Sequence, residues 1–192
     1  MRVPVGGGVP QFVLEWKNEL NSDCARAPAS LCVLAEESQD QKQLTLTAFD
    51  PAKGRGKVLR TIEKDPSARL VPGALSLSPD GTTFAVSTAL EPEIHIRLLS
   101  LSGGPDREIT LKGWPNLTGL EWAPSGRGFY CGSMSPQGNT LLYSDLSGNA
   151  RVLWQQRGGV GMPVWDVPSP DGRYLAIGAL VTNSNVWMLE GF

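Results

Sequence analysis

One short pattern recurs along this chain and constrains its fold more than any other feature. It reads Ser-Pro-Asp-Gly at residues 78–81 and 169–172, and Ala-Pro-Ser-Gly at 123–126. The three prolines lie 45 and 46 residues apart, with apolar residues on both sides of each copy. A degenerate fourth copy surrounds Pro28, which lies 51 residues before Pro79. This period is typical of a four-stranded propeller blade.

Each copy predicts a tight turn between the first and second strands of a blade. Proline has the fixed φ that suits the first central position of a turn, and Asp-Gly or Ser-Gly reverses the chain. A third strand is predicted after each hairpin, and a fourth strand follows in three of the copies. The third strands are 43–49, 94–101, 140–146 and 185–189, and the fourth strands are 57–62, 107–111 and 150–154.

The sequence therefore predicts an all-β fold: one β-propeller-type domain, 1–192, of about four blades with four antiparallel strands each. The blades cover about 22–62, 74–111, 119–154 and 165–192. Residues 12–16 lie in the position of a fourth strand, either as the remnant of a preceding blade or as a strand that closes the ring through the last blade. A closed ring would have no exposed sheet edges, whereas the alternative is an open arc cut from a larger ring.

Composition and charge exclude several classes of function. The 22 glycines and 15 prolines are spread along the chain, and 17 basic residues balance 19 acidic ones. No basic block marks a nucleic-acid surface, no apolar run is long enough to span a membrane, and the N-terminus lacks the apolar core of a signal peptide. Three cysteines and one histidine argue against a metal cluster. We expect no nucleic acid, no membrane contact by this segment and no cofactor.

No motif in the sequence predicts catalysis. Residues 54–57, Gly-Arg-Gly-Lys, come closest to a phosphate loop but lack the following Ser or Thr and precede a strand, not a helix. Kinase motifs and a Gly-x-Ser-x-Gly elbow are missing. His95 lies within a predicted strand, and Asp80 and Asp171 are predicted turn residues. We therefore expect a protein that is not an enzyme.

Two tryptophans are candidate binding residues. Trp114 and Trp165 lie in or near connections from the fourth strand of one blade to the first strand of the next. In a propeller these connections emerge together around the mouth of the central channel, and loops on a rigid scaffold often carry binding residues. Packing between blades explains both tryptophans equally well.

Several segments carry a resemblance to known propellers. The Ser-Pro-Asp-Gly hairpins resemble the TolB-like propeller repeat, an architectural relative of WD-type repeats. More narrowly, the chain is similar to the C-terminal propeller of bacterial receptor-like serine/threonine kinases and related winged-helix regulators. The segments that carry this similarity are 24–28, 48–51 with 54–56, 113–114, 146–154 and 184–190.

The resemblance implies a sensing or interaction role without catalysis. In that family the propeller is the sensing or interaction part, and other domains carry the activity. Nothing in this sequence resembles a kinase or a winged helix. Because the family's propellers usually have six or more blades, the resemblance favours an open arc for this chain. Such an arc is expected to self-associate through its open blade edges. The resemblance also implies a location outside the cytoplasm and a protein or small-molecule ligand on the propeller face. The alternatives are the accessory propeller of a hydrolase, such as a peptidase, and a structural assembly propeller.

Cys24 and Cys32 flank Pro28 at equal distances, four residues on either side. Disulfides persist outside the cytoplasm, where the resemblance places such propellers. If position −1 faces position +3 relative to the proline, the two cysteines are diagonal neighbours about 7–8 Å apart, slightly too far for a disulfide. A wider turn in this glycine-free hairpin would bring them directly opposite, so a disulfide and two thiols both remain open. Cys131 is predicted to be a free, packed thiol in a second strand.

Overall fold

In the part of the chain that the structure describes, β-strands are the only regular secondary structure. This computed structural model describes residues 1–15, 19–90, 93–114, 116–135, 138–157 and 165–178, without the side chains of Glu19, Pro72, Leu90 and Trp165. The strands are β1 Glu19–Cys24, β2 Cys32–Glu37, β3 Gln43–Asp50, β4 Gly54–Glu63, β5 Arg69–Leu77, β6 Thr83–Leu90, β7 Glu93–Ser100, β8 Arg107–Leu111, β9 Leu117–Trp122, β10 Gly128–Ser135, β11 Gly138–Asp145, β12 Ala150–Arg157, β13 Trp165–Pro168 and β14 Leu175–Gly178. No helix in the described ranges has the length and apolarity that crossing a bilayer requires.

The strands form consecutive antiparallel sheets, each a simple meander. Strands β1–β4, β5–β8 and β9–β12 make three four-stranded blades, and β13 pairs with β14 in a fourth sheet. The predicted third and fourth strands agree with β3, β4, β7, β8, β11 and β12 to within a few residues. The predicted strand 185–189 lies outside the described residues. The all-β propeller architecture predicted from the repeat is confirmed.

The first strand of each blade lies innermost, and the blades follow one another in an arc. Strand β1 contacts β5, β5 contacts β9, and β9 contacts β13. No ladder within the described strands joins β13 or β14 to the first blade, so these blades form an open arc.

Residues 12–15 form no strand, and their described contacts are with the first blade. The Glu15 carbonyl accepts a hydrogen bond from Arg55 Nη2 at 3.5 Å, and the Val13 carbonyl lies close to Gly54 at the start of β4. Trp16, the last residue of this predicted strand, is outside the described residues.

Alternation along the strands buries both faces of the second blade. Phe84 and Val86 on β6 join one apolar layer against the first blade, whereas Ala85 between them joins a second layer against the third blade. In the second layer the rings of Trp122 and Phe129 lie with centroids 4.3 Å apart. Burying each such large side chain contributes about 1.5–3 kcal/mol. Cys131 is a free thiol in this second layer, as the sequence predicts.

The Ser-Pro-Asp-Gly turns are closed by their own aspartates. Asp80 Oδ1 accepts hydrogen bonds from Ser78 Oγ at 2.6 Å and from the Thr82 backbone at 3.0 Å. Gly81 adopts a φ of +72°, a left-handed conformation that favours glycine. Asp171 repeats these bonds with Ser169 at 2.6 Å in the fourth sheet. Both aspartates are thus turn residues, as predicted, and their hydrogen bonds lower the pKa of each carboxyl.

The expected register of the hairpins is wrong. Leu77 lies opposite Phe84 and Trp122 opposite Phe129, so position −2 faces +5 relative to the proline, not +4. Six residues lie between the members of each pair, whereas the expected register has five. The first hairpin differs again, since Cys24 lies directly opposite Cys32 with seven residues between them.

A disulfide joins the two strands of this first hairpin. The sulfur atoms of Cys24 and Cys32 are bonded, and their Cα atoms lie 4.0 Å apart. The cross-link occupies the place where the other hairpins have a compact Asp-Gly or Ser-Gly turn. The disulfide therefore fixes the start of β2, whose first four residues are buried.

Alkylation of the denatured protein without reductant should modify one cysteine, Cys131, because the other two sulfurs are bonded. Mass spectrometry counts the added groups directly. The same treatment after reduction should modify three cysteines and serves as the control. Three modifications before reduction would show that Cys24 and Cys32 are thiols.

Candidate functional site at the inner rim of the arc

The two tryptophans singled out as binding candidates are not seen to form a common site. Trp114 is half-buried and packs against the apolar layer between the second and third blades. Trp165 begins β13, and its side chain lies outside the described residues. The structure therefore gives Trp114 a packing role, and binding by either tryptophan stays a prediction.

His95 and Arg55 of the Gly-Arg-Gly-Lys segment each contact a carboxylate on another strand of the same sheet. His95 Nδ1 lies 2.8 Å from Glu108 Oε1 on the adjacent strand β8. Arg55, within β4, donates to both carboxylate oxygens of Glu36 at 2.6 and 2.7 Å. These contacts link strands within one sheet.

A group of polar side chains that sequence reasoning missed lies at the inner rim of the arc. Its members are Asp23 on β1, Arg26 just after β1, Ser76 on β5, Glu121 on β9 and Asp166 on β13. Each of the four innermost strands contributes one residue. We call these five residues the rim cluster.

Ser76 links three blades through its hydroxyl group. Its Oγ lies 3.2 Å from Asp23 Oδ2 on the first blade and 3.3 Å from Glu121 Oε2 on the third. It also accepts a hydrogen bond from the Trp122 backbone at 3.2 Å. Asp23 Oδ2 further accepts the Leu77 backbone N–H at 2.8 Å, and Trp122 Nε1 donates to the Ser76 carbonyl at 3.1 Å. Side chains therefore replace the sheet ladder between neighbouring blades.

Arg26 extends this network to the fourth sheet. Its guanidinium lies 3.8 Å from Glu121 Oε1 and donates to the Ser169 carbonyl of the fourth sheet at 3.2 Å. Its backbone N–H donates to the Pro79 carbonyl in the turn of the second blade at 2.8 Å. One residue of the first blade thus contacts all three of the others.

Burial makes two of the rim carboxyls hard to ionise. Burial raises the pKa of Glu121 to about 7, and the charges of Asp23 and Asp166 add to the shift while Arg26 and Ser76 oppose it. Burial also raises the pKa of Asp166 to about 6. Asp166 Oδ2 is buried and has no hydrogen-bond partner in the described part of the chain. The rim cluster therefore exchanges protons near neutral pH.

The protonation state of Glu121 decides how the hydrogen bonds run. Ser76 has a single hydroxyl proton but lies within reach of two carboxyl groups. When Glu121 is protonated it donates to Ser76 Oγ, which then donates to Asp23. When Glu121 is ionised one of these bonds is lost, and two negative charges face the same hydroxyl.

Within the described residues, the cluster lacks the set of side chains that a metal ion needs. No three His, Cys, Asp or Glu side chains within the described ranges have the arrangement that holds a metal ion. The histidine is engaged with Glu108 on the second blade. The groups present can exchange a proton, accept hydrogen bonds and attract a positive charge.

The sequence contains one signal that points to this site. Ser76 and Glu121 both lie three residues before the repeat proline, on strands otherwise rich in apolar residues. Polar residues recurring at one position of an innermost strand indicate a common place at the rim. Asp23 and Asp166 lack this signal because they lie at other distances from their prolines.

Replacing Glu121 with glutamine should flatten the pH dependence of stability. The raised pKa means that folding takes up a proton, so this stabilisation is complete below about pH 4.5 and is lost as the pH rises to about 7. With one third of the side chain exposed, we expect on the order of 1–2 kcal/mol after allowing for solvent screening.

Urea unfolding of both proteins at pH 5 and pH 8 measures this difference. The free energy of unfolding should fall between these pH values by more in the wild type than in E121Q. The exposed Glu63 on β4 supplies the control, and E63Q should behave as the wild type. Equal pH slopes for wild type and E121Q would contradict the raised pKa.

Comparisons with known proteins identify the fold. No family model matches the sequence, and no curated protein matches it. Among solved structures, the TolB-like protein from Agrobacterium tumefaciens is similar with a TM-score of 0.55 and 16% identity, over 80% of this chain and 51% of that one. A prolyl endopeptidase structure has a TM-score of 0.52 and 20% identity, over 83% of this chain and 26% of that one.

The chain spans about half, or less, of the length of these structures. At these identities the similarity is one of fold. It supports the likeness to TolB that the Ser-Pro-Asp-Gly hairpins indicate. This chain is therefore an all-β partial propeller whose described blades form an open arc.

Proposed function

We propose that this chain is a non-catalytic recognition module that binds its ligand at the inner rim of the arc. The observation that carries the proposal is the imbalance of charge in the rim cluster. The cluster contains three carboxyl groups and one guanidinium, which lies 3.8 Å from Glu121, and burial raises the pKa of Glu121 and Asp166. Buried carboxylates with too few partners reduce stability, and such groups concentrate at functional sites.

The chemistry of the rim indicates the kind of ligand. The carboxylate oxygens of Glu121 and Asp166 accept hydrogen bonds and carry negative charge above about pH 7. A cationic group that donates hydrogen bonds, such as an amine or a guanidinium, would compensate both. It would also supply the missing partner of Asp166 Oδ2. The ligand class is therefore a small amine or a basic side chain of a protein.

We further propose that the module belongs to the sensing region of a bacterial receptor-like serine/threonine kinase. The sequence resemblance supports this role. Its described segment 146–154 forms the turn between β11 and β12 and the first five residues of β12. The in-frame coding sequence upstream of Met1 tests it. Further Ser-Pro-Asp-Gly repeats and a kinase domain would support the role, and a complete gene without them would contradict it.

Argininamide, whose guanidinium stays charged at both pH values used, is a suitable probe of the rim. At pH 8 we expect a saturable change in tryptophan fluorescence, because Trp122 donates two hydrogen bonds to Ser76 within the rim. Binding should weaken by about tenfold at pH 5, where Glu121 and Asp166 are protonated and no longer attract a cation.

The variants E121Q and E63Q provide the matched comparison. E121Q should weaken argininamide binding at pH 8 and remove much of the pH dependence, whereas E63Q should bind as the wild type. Equal binding by all three proteins would refute recognition at the rim. Phosphotransfer from ATP or ester hydrolysis by the purified chain would instead favour an enzyme, including the hydrolase alternative.

A further inference from the structure

The disulfide between Cys24 and Cys32 lies beside two members of the rim cluster. Asp23 directly precedes Cys24, and Arg26 follows it by two residues. The Cys24 backbone N–H donates to Asp23 Oδ1 at 2.7 Å, and the other oxygen of that carboxylate accepts the Leu77 N–H of the second blade. The cross-link and the first-blade part of the rim therefore belong to one short stretch of chain.

The disulfide closes a loop that lacks the turn chemistry of the other hairpins. Residues 25–31, which we call the Arg26 loop, contain no glycine, and Ala29-Ser30 stands where the other copies have Asp-Gly or Ser-Gly. One position inside the cross-link, the Ala25 N–H donates to the Leu31 carbonyl at 2.8 Å. The cross-link at its base is therefore a main restraint on this loop.

The Arg26 loop packs against the turn of the second blade. A Cβ atom at Gly81 would lie 3.2 Å from Ala25 Cβ and 3.4 Å from Leu31 Cβ, so the missing side chain lets the loop approach. The Arg26 N–H donates to the Pro79 carbonyl of the same turn at 2.8 Å. This docking of the loop backbone directs the Arg26 side chain into the rim.

Within the rim, Arg26 supplies the positive charge that a cationic ligand would bring. Its side chain is 24% exposed, and its guanidinium lies 3.8 Å from Glu121 Oε1. It also donates to the Ser169 carbonyl at 3.2 Å. A ligand cation that binds Glu121 has to compete with this internal cation, and release of Arg26 would leave the rim more negative.

The two cysteines differ in their exposure to solvent. Cys24 is exposed, whereas Cys32 is 5% exposed at the start of β2. In thiol–disulfide exchange a thiolate attacks one sulfur and expels the other as a thiolate. Attack from solvent is therefore directed at Cys24 Sγ, with Cys32 as the leaving group.

We propose that this disulfide is a redox-sensitive switch that holds Arg26 in the rim and is opened by a dithiol. One thiolate of the dithiol bonds to Cys24 Sγ as the bond between the protein sulfurs breaks, and Cys32 leaves and takes up a proton. The second thiolate of the reductant displaces Cys24, which also takes up a proton. The dithiol becomes a disulfide, and the protein gains its two electrons and two protons.

Reduction frees the Arg26 loop and withdraws the internal cation from the rim. This regulation of ligand binding rests on the proposed function, whereas the opening of the loop does not. The two parts of the proposal are therefore tested by separate measurements.

Amide hydrogen exchange of the ¹⁵N-labelled full chain, with and without dithiothreitol, tests the opening of the loop. Reduction should speed exchange of the Arg26 amide by about tenfold, because the cross-link no longer restrains local opening. The Gly126 amide supplies the control, since it donates to the Ala123 carbonyl in the corresponding turn of the third blade. Its exchange rate should stay the same.

Three results would overturn the switch. The first is a disulfide that resists dithiothreitol in the folded protein, seen as a single alkylated cysteine after denaturation. The second is unchanged exchange at Arg26 in the reduced protein. The third is equal acceleration at Arg26 and Gly126, which would show that the disulfide only stabilises the whole fold.

A variant with both Cys24→Ser and Cys32→Ser removes the switch permanently. Its Arg26 amide should exchange as in the reduced wild type, and dithiothreitol should have no effect on it. A response to dithiothreitol in this variant would contradict the proposal, because its remaining cysteine, Cys131, is a buried free thiol.

Argininamide binding at pH 8 tests whether the switch controls the rim. Reduction of the wild type should tighten binding by about threefold, as expected for release of a partly exposed ion pair. Arg26→Gln should bind more tightly in the disulfide form and should not change on reduction. Equal affinity of the oxidised and reduced wild type would refute control of the rim by Arg26. Absence of binding to every form would instead contradict the proposed function, and exchange at Arg26 would still decide whether the loop opens.

Discussion

Each inner sheet of this protein has apolar residues on both faces, and it therefore needs a neighbour on each side. Phe84 and Ala85 are adjacent on β6 but belong to different apolar layers. A sheet of this kind cannot bury its surface alone or in a two-layer sandwich with one partner. Stacking further blades side by side satisfies the requirement, which is why the hairpin repeats along the chain.

The same stacking explains the polar rim. The innermost strands β1, β5, β9 and β13 contact one another in that order. Hydrogen bonds from Asp23, Ser76 and Trp122 connect the blades there instead of backbone ladders. A rim of this kind joins the blades but collects carboxyl groups in one partly buried place, and that property is the basis of the proposed recognition role.

The first blade shows how different local chemistry can support one hairpin. The other blades turn through a proline followed by Asp-Gly or Ser-Gly, in which an aspartate or serine bonds to its own turn. The first hairpin has neither, and it has a longer connection with a disulfide at its base. A covalent link there limits the conformations of the unfolded chain and can offset the missing turn bonds.

The sequence alone determined the period, the strand order and the turns, because proline, glycine and aspartate act on their own few residues. It also predicted the buried thiol of Cys131 from its place in the repeat. The predicted register of the hairpins was wrong by one residue. The register depends on how many residues the turn spans, and the repeat itself does not set that number.

Only the tertiary structure decided which distant residues meet. Asp23, Ser76, Glu121 and Asp166 are about 45–53 residues apart in sequence, and they come together only when four blades lie side by side. The burial that raises the pKa of Glu121 belongs to that assembly and not to its local sequence.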